Sequence, residues 1–210
     1  MSGIVRSIKK FLPEPVRQIG FDIISSMERK KWEKAGRPIP PPNAIKQEVV
    51  TLAAKENNLK VLIETGTYLG NMIFAQRKNF QKLFSIELSP VFHQEAEKRF
   101  RRHNHIEILF GDSAHVLPKI MGNVKEPALF WLDGHFSGGE TAESHCPVLD
   151  ELKAILVSPF QHIILIDDAR CFDGTDGYPT IEEIKTILEK KTKGYDLKIE
   201  TDIIRISYAL

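Results

Sequence analysis

The segment 59–70, LKVLIETGTYLG, constrains the fold more than any other part of the chain. Val61, Leu62 and Ile63 form an apolar run too short for a helix of its own, and a glycine-containing turn closes it. Such a run reads as a strand buried on both faces, as in a parallel sheet. Gly66 lets the backbone turn sharply, or lets a ligand approach where a Cβ would stand. Gly70 opens a helical segment, 71–79, with Met72, Ile73 and Ala75 as its expected buried side. Strand, glycine turn and helix in this order form a nucleotide-like ligand site at the carboxyl end of a parallel sheet.

The rest of the chain repeats the alternation. A helix over 44–57, with Ile45, Val49, Leu52 and Ala53 on one stripe, precedes the first strand. Strands are expected at 82–87, 106–110, 128–133 and 162–167, and helices at 90–102, 113–121, 148–157 and 180–191. The rhythm then breaks. Residues 195–200 and 203–208 are two strand-like runs joined by a short polar turn, which suits an antiparallel hairpin. Five strand–helix alternations and a terminal hairpin indicate a doubly wound α/β domain.

Residues 1–42 stand apart as an N-terminal helical arm with a proline-rich spacer, leaving 43–210 as the main domain. Ile4, Val5, Ile8, Phe11 and Leu12 recur at helical spacing; Val16, Ile19, Ile23, Ile24 and Met27 do so again after Pro13 and Pro15. A basic amphipathic helix can lie on a membrane surface; the favoured expectation is packing on the domain or on a second subunit, making the arm a possible homo-oligomer contact. The segment PIPPP at 38–42 is a stiff spacer.

Composition narrows the function classes. A formal net charge of +1 gives no global field for nucleic acid or an anionic membrane. Cys146 and Cys171 are too few for a disulfide framework. No apolar run reaches membrane-spanning length, and the N-terminus lacks a signal peptide's apolar region. The expected location is the cytoplasm and the expected partner a small molecule. His93, His103 and His105, with Arg99, Arg101 and Arg102, read as surface residues.

Glu64-x-Gly66 with Gly70 is not the dinucleotide fingerprint, which needs G-x-G-x-x-G. It resembles the E/D-x-G-x-x-x-G motif of class I methyltransferases, which use S-adenosylmethionine. Glu87 ends the second strand, twenty-one residues after Gly66 (87 − 66), where a carboxylate can accept hydrogen bonds from both ribose hydroxyls; a solvated strand end is the alternative. Asp112 and Ser113 follow the third strand, where the resemblance implies an adenine contact, although Asp112 equally fits a helix N-cap. The resemblance implies a Rossmann-like seven-stranded sheet, order 3-2-1-4-5-7-6, and a cofactor held by Glu64, Gly66, Thr67, Gly70, Glu87, Asp112 and Ser113.

A second cluster follows from that strand order. Strands four and five are then neighbours about 5 Å apart, which brings Asp133, Asp167 and Asp168 to one edge. Three close carboxylates repel unless a positive charge sits among them. A divalent cation answers this, and all-oxygen ligands favour Mg2+, Mn2+ or Ca2+. The pattern resembles metal-dependent small-molecule O-methyltransferases, including those that act on sugars of macrolide and aminocoumarin antibiotics. Alternatively, the aspartates cap turns and Arg170 neutralises one of them. Asp167 and Asp168 converge only if the chain leaves the strand between them. His135, in a loop with Gly134, Gly138 and Gly139, is suited to general-base work beside Asp133, although contacting a metal or stabilising the loop would equally account for it. The expected reaction is methyl transfer to a hydroxyl, with a metal-independent methyltransferase or a non-catalytic cofactor-binding protein as alternatives.

Overall fold

The computed structural model describes residues 13–134, 146–191 and 194–208. The chain divides into two compact units, 1–48 and 49–210. The first contains α1 (Glu14–Lys34) and the start of α2 (Asn43–Glu56), so the boundary falls inside α2. Within this unit Arg29 pairs with Glu48, and Trp32 Nε1 donates to the Pro38 carbonyl at 2.7 Å. None of the residues of α1 is buried, and its Val16, Ile19, Ile23, Ile24 and Met27 side chains are exposed.

The second unit carries one seven-stranded sheet: β1 (Val61–Thr65), β2 (Lys82–Glu87), β3 (Ile106–Phe110), β4 (Ala128–Leu132), β5 (Ile163–Ile166), β6 (Tyr195–Glu200) and β7 (Ile203–Tyr208). Its order is β3-β2-β1-β4-β5-β7-β6. The first five of these run parallel, and β7 is antiparallel to both β5 and β6. The expected doubly wound sheet with a terminal hairpin is the observed one.

Burial explains the central placement of β1 and β4, whose five residues each are all buried. A row of partners crosses the sheet through Phe84, Ile63, Phe130, Ile164 and Ile206. It packs in the main apolar cluster with Leu117, Leu152 and Ile184. These come from α5 (Ser113–Met121), α6 (Val148–Ile155) and α7 (Ile181–Lys191). The alternate residues Leu62, Leu83, Leu129 and Leu165 are also fully buried, so both faces are covered. The outer strands β3 and β6 are only partly buried, as edges are.

Several local expectations shift. The helix after Gly70, α3 (Asn71–Gln76), is shorter than expected and buries Met72, Ile73, Phe74 and Gln76 rather than Ala75. In α2, Leu52 is exposed while Val50 and Ala54 are buried beside Val49 and Ala53, because the buried face is rotated from the expected stripe. The helix after β2, α4 (Pro90–Phe100), ends two residues early. Thr180 precedes α7 as its cap: its Oγ1 accepts the Glu183 N–H at 3.2 Å, and Glu183 Oε2 accepts the Thr180 N–H at 2.7 Å.

Candidate functional site

The carboxyl ends of five parallel strands form one edge, and the ladder runs one step past β1, β3, β4 and β5. Gly66 N–H donates to Ile86 O at 2.9 Å, Gly111 N–H to Glu87 O at 2.9 Å, Asp133 N–H to Thr65 O at 3.1 Å and Asp167 N–H to Leu132 O at 3.0 Å. These bonds place residues distant in sequence side by side, where backbone groups leave the sheet toward solvent or ligand.

Gly66 is required at the centre of this edge. Its φ is +84°, and a Cβ there would stand 2.3 Å from the Asp133 carbonyl oxygen. What approaches Gly66 is therefore the β4 backbone. Gly70, at φ +67°, would drive a Cβ to 2.7 Å from Phe100.

Glu64 lies beside Ser85 in the β1–β2 register and is 2% exposed. Ser85 Oγ donates to Glu64 Oε2, and Thr67 Oγ1 shares a 2.6 Å hydrogen bond with Ser85 Oγ. Burial raises the Glu64 pKa well above the ordinary carboxylate range; the Ser85 bond opposes this, Asp133 and Glu87 add to it, and Arg99 opposes it. Glu87 is buried, unlike a solvated strand end. Its Oε2 accepts the Tyr68 N–H at 2.7 Å and its Oε1 the Ser89 N–H at 2.8 Å, which fix the plane of the carboxylate. Asp112 is the N-cap of α5, with Oδ1 accepting the Ala114 N–H at 2.9 Å and Oδ2 at 3.1 Å from His115 Nδ1. Ser113 beside it is buried.

Asp133, Asp167 and Asp168 form the second cluster, each with one carboxylate oxygen within 4.8 Å of the others'. Their convergence has a backbone cause. β5 ends at Ile166, and Asp168 takes a left-handed conformation (φ 56°, ψ 46°), so the chain leaves the strand between the two acids. Asp167 is 1% exposed, and its Oδ1 accepts the Asp168 N–H at 2.8 Å. Two oxygens on one ion stand at most about 4.2 Å apart around Mg2+ and about 5 Å apart around Ca2+. The all-oxygen set and its spacing fit an oxygen-preferring dication with little carboxylate movement. Arg170 Nη1 donates to Asp168 Oδ1 at 2.9 Å and also to Asp202, so one carboxylate of the cluster has a protein counter-charge. His135, with Gly138 and Gly139, lies outside the described residues.

Sequence reading missed several residues at this edge. Ser85 was legible as one polar residue inside the apolar run LFSI. Glu151, buried on α6, interrupts the stripe of Val148, Leu152 and Ile155; a Cβ on Gly134 would stand 3.4 Å from its Oε1 and 3.3 Å from Thr65 Oγ1. Arg99 reads as a solvated charge but donates to Leu69 O and Asn71 Oδ1, bracing the glycine turn. His93 and His105 are likewise half-buried and bonded, to Ile108 O at 3.3 Å and Arg77 O at 2.8 Å. No sequence signal marks Arg170 and Asp202 as partners.

No protein-family model and no curated protein sequence matches the chain. Solved structures do. The O-methyltransferase TomG of Streptomyces achromogenes, involved in tomaymycin synthesis and solved in complex with SAM, is 14% identical with a TM-score of 0.58, over 88% of each chain. An O-methyltransferase from Bacillus cereus in complex with SAH is 14% identical with a TM-score of 0.57, covering 100% of this chain and 98% of that one. The SAH-bound methyltransferase PaMTH1 of Podospora anserina is 14% identical with a TM-score of 0.56, over 99% and 94%. With the strand order, the parallel core and the antiparallel β7 in place, the chain has the class I S-adenosylmethionine-dependent methyltransferase fold.

Proposed function

We propose that this protein is an S-adenosylmethionine-dependent methyltransferase that methylates a hydroxyl of a small molecule or sugar with the help of a divalent cation. The observation that carries the reading is the adjacency of two acidic sites on one sheet edge: Glu64, Gly66 and Glu87 on one side, and Asp133, Asp167 and Asp168 on the other. Two of the solved structures similar to this chain are named O-methyltransferases and hold SAM or SAH, which supports the same chemistry here.

The cofactor would supply a methyl group already activated on a sulfonium. Glu87, with its plane set by two backbone N–H groups, would accept the ribose hydroxyls on its remaining lone pairs. Thr67, Gly70, Asp112 and Ser113 would complete the pocket, and Glu64 would offer negative charge near the cationic end. Asp133, Asp167 and Asp168 would hold Mg2+, Mn2+ or Ca2+, which supplies Lewis acidity at the acceptor oxygen. The chain's own task is then alignment and proton removal, and His135, two residues beyond Asp133, is the proposed base. The cofactor domain is taken as 43–210 and the arm, 1–42, as a homo-oligomer contact. The proposed location is the cytoplasm, with no nucleic-acid partner; no helix among the described residues is long and apolar enough to cross a membrane.

The Arg170–Asp168 ion pair favours one second reading, a metal-independent methyltransferase whose aspartates are structural. Calorimetry with S-adenosylhomocysteine and with Mn2+, followed by methyl transfer to a panel of hydroxyl acceptors with and without chelator, separates the two. The proposal expects both ligands to bind, turnover to stop in chelator, and Asp133→Asn to lose metal while keeping cofactor affinity. Full turnover in excess chelator establishes the metal-independent reading. Absence of S-adenosylhomocysteine binding overturns both.

A further inference from the structure

The turn between β6 and β7 is linked through Arg170 to one member of the candidate metal cluster, Asp168. Thr201 and Asp202 both have positive φ, 55° and 60°, the paired left-handed conformation of a two-residue type I′ turn. Because β7 runs antiparallel to β5, with Ile204 opposite Ile166, this turn lies beside the loop that leaves β5. Asp202, 4% exposed, grips that loop at three points. Its carbonyl accepts the Ala169 N–H at 2.8 Å, its Oδ1 accepts the Arg170 N–H at 2.9 Å, and its Oδ2 accepts from Arg170 Nη1. The same Nη1 donates to Asp168 Oδ1 at 2.9 Å.

We propose that Arg170 and Asp202 are positioning residues that set the Asp168 carboxylate for a divalent cation shared with Asp133 and Asp167. This rests on the metal-dependent reading above. The physical argument has two parts. Asp168 sits off the strand, and Arg170 Nη1, held by the buried Asp202 carboxylate, helps set the position of Asp168 Oδ1. A lone guanidinium there would also repel a cation, and the buried Asp202 carboxylate offsets its charge while holding it in place. A chain of two supporting groups thus links the hairpin tip to a candidate ligand, and partners of this kind tune metal affinity about 10–100-fold.

The test uses the full chain, with Mn2+ binding read from the free-ion signal in electron paramagnetic resonance and S-adenosylhomocysteine binding read by calorimetry. Asp202→Asn and Arg170→Gln are each expected to weaken Mn2+ binding about 10–100-fold, with cofactor affinity kept within about twofold, and Arg170→Lys to fall between parent and Arg170→Gln. A purely structural role would lower thermal stability and leave the metal affinity of the folded protein unchanged, which overturns the proposal. Tighter Mn2+ binding in Arg170→Gln also overturns it, because Arg170 would then be a counter-ion competing with metal. If Asp202→Asn fails to fold, the two Arg170 variants, altered at a side chain 40% exposed, decide the matter. A parent that binds no Mn2+ sinks the metal reading itself. A parent that loses Mn2+ on Asp133→Asn and is unmoved by Arg170→Gln sinks only this proposal.

Discussion

At the residue scale, two buried titratable groups carry opposite costs. Glu64 has its pKa raised, chiefly by burial, so the folded chain binds its proton more tightly than the unfolded chain does. Its stabilising contribution is complete below the unfolded value near 4.5 and is lost as pH rises through the folded one. Glu64→Gln, which keeps the Ser85 bond without the charge, is expected to raise stability in urea titrations at neutral pH. It should also weaken S-adenosylhomocysteine binding, a gain and a loss that together mark a residue kept for its ligand. His162 works the other way. It is fully buried, accepts the Ala128 N–H on Nδ1 at 3.0 Å, lies with Nε2 2.8 Å from Ser158 Oγ, and has its pKa lowered to about 4, mainly by burial. Below its ordinary value of 6.5 the unfolded chain takes up a proton that the folded chain refuses until about pH 4. Stability is therefore expected to fall as pH drops from 6.5 toward 4, and His162→Gln to flatten that part of the profile. An unchanged acid limb in the variant would remove His162 from the account.

At the element scale, the terminal hairpin does two jobs with one turn. The run 195–208 reads as two strands with a tight reversal, and the pairing is antiparallel as that implies. The turn chemistry is less favourable, because Thr201 holds a β-branched side chain at φ 55°. Thr201→Asn, a residue that tolerates the left-handed region, is expected to stabilise the protein by about 1 kcal/mol. For a chain of this length that is about 2–4 °C in melting temperature. A lower melting temperature would show that the threonine hydroxyl has a role of its own. The strands were legible because β1, β4 and β5 carry short runs of consecutive apolar residues, too short for helices and closed by turns, which suits a sheet covered on both faces. The helix stripes were less so. α3 has only six residues, and a stripe that short leaves Phe74 and Ala75 equally plausible as the inward residue.

At the scale of the whole molecule, the proposed cofactor site draws on strands of the main domain alone. A chain beginning at Asn43 is expected to fold and to bind S-adenosylhomocysteine within about threefold of the full protein; the roughly 0.6 kcal/mol allowed is that factor at room temperature. Normal folding without cofactor binding would place part of the arm in the site. What the sequence determined by itself was local in origin: apolar runs that demand burial, glycines that only a turn explains, acids at strand ends, and a final pair of strands too close for a crossover. These follow from side-chain transfer free energy and backbone sterics, which act within a few residues. The strand order that the resemblance implied already brought the three aspartates to one edge; the tertiary structure decided the contacts made there. It set Asp133 against Gly66, met the condition for convergence by turning Asp168 off its strand, and carried Asp202 across to Arg170, thirty-two residues away in the chain. Those contacts depend on strand order and register, which many apolar runs of similar composition satisfy equally well until they pack together.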